Sequence, residues 1–413
     1  MTIYTHPLEG IPESAASPAE GPLAQSDPLS RTAGVPGIRA RWRRTGVSDT
    51  ARAAIGDARS LAGETVYRRN IENYVGTLKV PVGLAGPLRV QGRFADRDYL
   101  VPLATTEATL VASYHRGAKL LTRSGGCRAR VIDRGVGRVP GFVFAGMAEA
   151  AGFAEWTAAQ ADAIRAAAER TSRHARLLRM RCISQGRYAF LALEFATGDA
   201  AGQNMVTIAA EAACLWIRRN APIRPEAVYI ESNFSGDKKA TAQVLHSVRG
   251  RRVAAEAVVP DGWVRQVLHT TADEMARYYR MAAVAASMSG SLGTQGHFAN
   301  GLAALYLACG QDAACVAESA VGHTLLERLP GGELYCAVTL PGLMVGTVGG
   351  GTGLPGPSAC LEMLGLRGEG GADRLAEVAA ALCLAGELSI IGAICAGEFT
   401  QAHRRMARGG EGA

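Results

Sequence analysis

Glu231-Ser232-Asn233-Phe234-Ser235-Gly236-Asp237-Lys238-Lys239-Ala240 is the stretch around which the chain is ordered. The protein has 44 basic residues, and only four are lysine: Lys79, Lys119, Lys238 and Lys239. Two of the four stand side by side in this segment. Arginine stays charged and spreads its charge over a planar fork, whereas lysine is a compact point charge whose proton affinity responds to its surroundings. A fixed ammonium suits an oxygen on which negative charge grows during a reaction. Two solvated surface lysines are the plain alternative. The scarcity of lysine, with Asp237 beside the pair and Ser232, Asn233 and Ser235 before it, points to a site.

The segment also divides the chain. Before it, residues 139–230 read as a separate α/β unit, with helices expected over 154–170 and 203–219 and strands over 188–195 and 227–230. The glycine-containing turn 198–204 opens the second of these helices and would offer free N–H groups to a phosphate. After it, residues 242–413 read as mostly helical. A helix over 298–308 is followed by Asp312. An acid just past a helix C-terminus opposes the dipole and needs a partner, and Lys238 is the candidate. One long helix or two joined ones are expected over 373–406, with His403 near the end among Arg404, Arg405 and Arg408. Residues 346–356 hold a formal G-x-G-x-x-G, but Pro355 lies inside it and no βαβ unit surrounds it, so it is not a Rossmann fingerprint.

Towards the N-terminus, residues 71–88 read as short extended pieces and turns. Residues 103–121 read as a helix capped by Thr105 or Thr106, with Glu107 in its first turn. Residues 1–45 read as a disordered tail.

At 413 residues, with 20% charged and 48% hydrophobic residues, the chain is globular and long enough for two or three domains. A net charge of +7 suits an anionic ligand. The basic run at residues 39–44 is a weak nucleic-acid signal and reads as a solvated segment. Nine scattered cysteines without C-x-x-C fit a reducing cytosol and no metal site. No uninterrupted apolar run or leader pattern stands out, so a cytoplasmic protein with no membrane partner is expected.

Several stretches, in order, resemble the 3-hydroxy-3-methylglutaryl-CoA (HMG-CoA) reductase family, in its class I-like soluble catalytic region. They are residues 72–88, Val101-Pro-Leu-Ala-Thr-Thr-Glu107 with Val111-Ala-Ser113, residues 198–205, Asp237-Lys-Lys239, Ala308-Cys-Gly-Gln-Asp312, residues 346–352 and Gly386-Glu-Leu-Ser389. The resemblance implies an α+β fold. A large, mainly helical substrate-binding domain (46–138 and 242–413) would carry an inserted small ferredoxin-like dinucleotide-binding domain (139–230), joined by the loop 231–241.

It implies four catalytic residues, Glu107, Lys238, Asp312 and His403, all present here. It implies substrate contacts from Arg138, Asn233, Lys239, Ser113, Arg116, His297 and Asn300. Arg138 would hold the free carboxylate, and Ser113 and Arg116 would face coenzyme A. NADPH would lie on Asp199, Ala201, Gly202, Asn204, Met205, Val348, Gly349 and Gly350. Ser172 and Arg173 would meet its 2′-phosphate, a suitable task for a guanidinium. The reaction implied is a four-electron reduction of HMG-CoA to mevalonate and free CoA with two NADPH. The site would lie at the interface of a homo-oligomer, with His403 supplied by the other subunit.

This sequence departs from the family pattern at His115, where asparagine is usual, and at His269, where lysine is common. The loop before His297 is short, and Arg280 stands near the place of a usual lysine. These departures leave open another acyl thioester as substrate. Oxidative running with NAD and a non-catalytic homologue are further alternatives; Arg173 argues against the first and the retained catalytic residues against the second.

Overall fold

The computed structural model describes residues 34–399, which fall into two units, 34–81 and 82–399. The first holds four short helices, α1 (Gly34–Thr45), α2 (Asp49–Ile55), α3 (Ala58–Ala62) and α4 (Glu64–Tyr67). Ser48 and Asp57 cap α2 and α3, each side chain accepting an N–H three residues on. Ile38, Trp42 and Tyr74 form the buried cluster. The Trp42 indole donates to the Val75 carbonyl at 2.9 Å. Residues 34–45 were expected as part of a tail and instead form α1; the expectation for residues 1–33 lies outside the described residues.

The second unit opens with the hairpin β1 (Val82–Gly92) and β2 (Asp96–Ala104), then α5 (Leu110–Arg123) and β3 (Cys127–Arg138). There follow β4 (Gly141–Val143), α6 (Met147–Ala159), α7 (Ala161–Glu169), β5 (Arg176–Gln185), β6 (Tyr188–Ala196), α8 (Gln203–Asn220) and β7 (Ala227–Tyr229). The remainder is α9 (Gln243–His246), β8 (Gly250–Val259), α10 (Asp261–Leu268), α11 (Ala272–Ser289), α12 (Phe298–Cys309), α13 (Val316–Ser319), β9 (His323–Arg328), β10 (Leu334–Leu343), α14 (Pro355–Met363) and α15 (Gly371–Cys395).

The strands run β7-β4-β6-β3-β8-β10-β9, with β5 on β6, and β1 on both β2 and β3. β3 enters both halves. Its residues from Arg128 to Gly135 pair with β8, and Val136 to Arg138 pair with β6. Within 139–230 the order is β7-β4-β6-β5, all antiparallel, with α6 and α7 in the first crossover and α8 in the second. That is the ferredoxin-like arrangement, and the fold is α+β as expected.

Helix α15 is the core element. It is buried over nearly all of its length. By length and composition it is apolar enough to cross a membrane, yet 83% of its most apolar window is buried inside the protein. Helix α5 lies close against it because of Gly117: a Cβ there would stand 1.8 Å from the Ala385 carbonyl oxygen.

Several expected boundaries move. Leu103 and Ala104 finish β2, so α5 starts only at Leu110 and Glu107 lies ahead of it rather than in its first turn. The helix expected over 154–170 is two, α6 and α7, which meet at Gln160. α15 ends at Cys395, and the part of the expected helical stretch beyond residue 399 lies outside the described residues. β2, β3, β8, β9 and β10 were not anticipated, and β4 and β5 followed only from the ferredoxin-like resemblance, not from the residue pattern.

Candidate active site

Lys238 Nζ lies 2.9 Å from Asp312 Oδ2, so the expected pair forms. Gly310, at φ 65, ends α12 and turns the chain back. Asp312 then caps a following 3₁₀ turn, its Oδ1 accepting the Ala314 N–H at 3.0 Å. The carboxylate is therefore at the favourable end of the next turn as well as paired with a cation. The hydrogen bond to Asp312 raises the Lys238 pKa above its usual value, outweighing the partial burial that lowers it. The ammonium form is what oxyanion stabilisation requires.

Arg138 is buried, and its Nη1 donates to Glu231 Oε2 at 2.9 Å and to Asp237 Oδ2 at 3.2 Å. Asp237 is shared with the buried Arg249, which also pairs with Glu318. Asn233, at φ 67, donates its N–H to Glu231 Oε1 at 2.8 Å. Lys239 Nζ donates to the Asp237 carbonyl at 3.1 Å. The loop thus carries Asn233, Lys238 and Lys239 beside the two carboxylates, Glu231 and Asp237, that hold Arg138.

A second cluster surrounds a cavity of about 80 Å³ lined by Glu107, Ser113, Arg116, His297 and Asn300 among others. Asn300 Nδ2 donates to Glu107 Oε1 at 3.4 Å. The stretch Gly386–Ser389 of α15 supports the walls. The Gly386 carbonyl accepts from His297 Nε2 at 2.9 Å. Glu387 accepts the N–H groups of Gly296 and His297, each at 2.8 Å. Ser389 Oγ lies 2.9 Å from Ser113 Oγ and accepts from Arg116 Nε at 3.0 Å. Glu398 stands 3.6 Å from Arg116 and 2.7 Å from His269 Nδ1. Burial lowers the Arg116 pKa, and Glu398 opposes this.

The two clusters sit towards opposite ends of α12. Asn300 is in its first turn and Asp312 lies beyond Cys309, so roughly 14 Å of helix separates them within one chain. His403 lies outside the described residues.

The turn expected to cradle phosphate meets the glycine run. Ala200 bridges Val348, and the Asp199 carbonyl accepts the Thr347 N–H at 2.8 Å. A Cβ on Gly346 would stand 2.4 Å from the Ala201 nitrogen, so glycine is required for this approach. Gly202, at φ 84, opens α8, whose N-terminus has no side-chain cap. Asn204 and Met205 fall in its first turn. Gly349 and Gly350 face open space, and Val348 is exposed. Gln311 Oε1 accepts the Gly346 N–H at 2.8 Å, and Gln203 Nε2 lies 2.8 Å from Cys315 Sγ. The cradle and the Asp312 segment are therefore tied together. The Asp199 carboxylate is already engaged, accepting from Gly370 and Ala372 at the start of α15 at 3.0 and 2.9 Å. Ser172 and the exposed Arg173 stand in the turn before β5, where Ser172 Oγ accepts the His174 N–H at 3.1 Å.

Arg249, Glu318, Glu387 and Glu398 had not been singled out from the sequence. Only Glu387 carried a signal, as part of the Gly386–Ser389 motif.

A family model described as hydroxymethylglutaryl-coenzyme A reductase matches residues 39–408. A 3-hydroxy-3-methylglutaryl-coenzyme A reductase of Methanothermobacter thermautotrophicus is 40% identical over 352 residues, 85% of this chain and 88% of the relative. That of Aeropyrum pernix is 42% identical over 353 residues, 84% of each chain. Among solved structures, the class II enzyme of Streptococcus pneumoniae bound to NADPH in open conformations matches with a TM-score of 0.63 at 21% identity, covering 89% of this chain and 98% of that one. The chain belongs to the hydroxymethylglutaryl-coenzyme A reductase family.

Proposed function

We propose that the protein reduces HMG-CoA to mevalonate and free CoA with two NADPH. The observation that carries this is the Lys238–Asp312 pair at 2.9 Å, at the family's catalytic positions and tied to a glycine-lined helix N-terminus. Bound NADPH would supply a hydride in each of two steps. The uncapped start of α8 and the bare backbone at Gly349 and Gly350 suit its phosphates. Arg173 suits the 2′-phosphate. Residues 139–230 are the nucleotide-binding part in this reading, and the remainder binds the acyl-CoA.

Lys238 holds the carbonyl oxygen as charge grows on it, and Asp312 keeps the ammonium oriented. Arg138, with Asn233 and Lys239, receives the substrate's free carboxylate. This requires Arg138 to exchange Glu231 or Asp237 for the ligand. Arg116 and Ser113 face the CoA arm. Glu107 donates a proton to the aldehyde oxygen in the second step. His403 protonates the CoA thiolate. Each proton transfer contributes ~10²–10⁴ in rate.

The separation of the Glu107–Asn300 cluster from Lys238–Asp312 along α12 supports a site completed by a second copy, with Glu107 of one protomer facing Lys238 of its partner. Nine free cysteines suit a reducing, cytosolic setting.

The test follows nicotinamide absorbance in purified protein with HMG-CoA and either NADPH or NADH. Substrate-dependent loss of NADPH absorbance, faster than with NADH, is expected. No oxidation of either nucleotide by folded protein would overturn the reading.

A further inference from the structure

Lys238 has φ 57, a left-handed conformation that residues other than glycine adopt rarely. Something must hold it there. Its N–H donates to Glu318 Oε2 at 3.3 Å. Glu318 lies in α13, six residues after Asp312, so one short segment grips Lys238 at both ends: the ammonium through Asp312 and the main chain through Glu318. Glu318 is 1% exposed and also accepts from Arg249 Nε. Arg249 is anchored in turn by the Gly137 carbonyl at 3.0 Å and by Asp237, the residue preceding Lys238. A buried carboxylate is costly to desolvate, and burial pushes the Glu318 pKa up, with Arg249 opposing. As a mere counterion for Arg249 it would be partly redundant, because Asp237 already pairs with that guanidinium.

We propose that Glu318 is a positioning residue of the reduction, whose carboxylate holds the Lys238 main chain in the turn from which the ammonium reaches Asp312 and the substrate oxygen. The proposal rests on Lys238 acting as the oxyanion holder described above.

The experiment compares kcat and KM for Glu318→Ala and Glu318→Gln in the full chain, alone and combined with Lys238→Met, with Tm measured alongside. Glutamine keeps an oxygen for the Lys238 N–H and loses the charge towards Arg249. Glu318→Gln is expected to stay within about threefold of wild type in kcat. Glu318→Ala is expected to fall by roughly 10–100-fold in kcat with KM for NADPH unchanged. Added to Lys238→Met it should cost nothing further, because the two act as one unit. The pair Glu318→Leu with Arg249→Met leaves no unpaired charge at that point and should show the same kcat loss if Glu318→Ala does not fold. Equal loss in Glu318→Ala and Glu318→Gln, the same loss repeated in the Lys238→Met background, or wild-type kcat in the Leu/Met pair would overturn the proposal. A wild type without turnover would instead overturn the reading of the whole site, and this role with it.

Discussion

Replacing Lys238 with methionine removes the ammonium and nearly keeps the length of the side chain. Two effects can be sized. The first is stability. Lys238 and Asp312 have side chains 45% and 42% exposed, so their ion pair is solvent-screened despite its 2.9 Å separation. Exposed pairs contribute ~0.2–1 kcal/mol. Methionine inherits the same left-handed turn, so no new backbone strain arises. The Tm should fall by no more than a few degrees. The second effect is rate. Removing a preorganised group from a developing oxyanion costs ~10²–10³ in kcat, or ~2.7–4 kcal/mol. The two ranges do not overlap, which makes the variant diagnostic. The assay is NADPH oxidation with HMG-CoA, beside a thermal melt. A kcat within threefold of wild type would refute the role of Lys238. A collapse in Tm would show that the loop is a structural support instead.

Three further outcomes follow from the geometry. Asp312→Asn removes the main cause of the raised Lys238 pKa, so the amine should lose its proton at lower pH and the alkaline limb of the kcat profile should move down. In wild type the pair's stability is fully present below the unfolded lysine value of 10.5 and is lost as pH rises through the higher folded value; an unmoved limb in Asp312→Asn would contradict this. Mixing inactive Glu107→Gln and Lys238→Met proteins under conditions that exchange subunits should restore activity, up to about a quarter of wild type for random pairing of a dimer; no recovery, with exchange verified, would place the site within one protomer. Gly117→Ala, which drives a Cβ into the Ala385 carbonyl, should destabilise the protein by ~1–3 kcal/mol or more, and an unchanged melt would contradict the packing of α5 on α15.

The sequence made some elements legible and hid others for physical reasons. The lysine pair and the unpaired acid at Asp312 predicted each other, because charge placement against a helix end is a local signal. The ferredoxin-like order of β4 to β7 was anticipated through the family resemblance. β8 alternates cleanly, with Val253, Ala255, Ala257 and Val259 buried, but its alanines read equally well as helix. Glu107 was misplaced because Thr105 resembles an N-cap; its hydroxyl does accept an N–H, that of Glu107 itself at 3.0 Å, in a turn ahead of the helix. The buried carboxylates Glu318 and Glu387 were illegible in role. Their partners are backbone N–H groups 80 and 90 residues away, a relation that no spacing rule encodes. The Asp199 carboxylate anchors the start of α15, more than 170 residues away in the chain, a contact equally hidden from any spacing rule.

The most direct measurement counts hydrides. NADPH consumed, CoA thiol released and mevalonate formed are quantified in one reaction started with HMG-CoA. The account predicts two NADPH oxidised for each thiol and each mevalonate. One NADPH per thiol, with an aldehyde accumulating, would contradict the assignment of Glu107 to a second reduction step. Thiol release without NADPH consumption would contradict a reductase altogether.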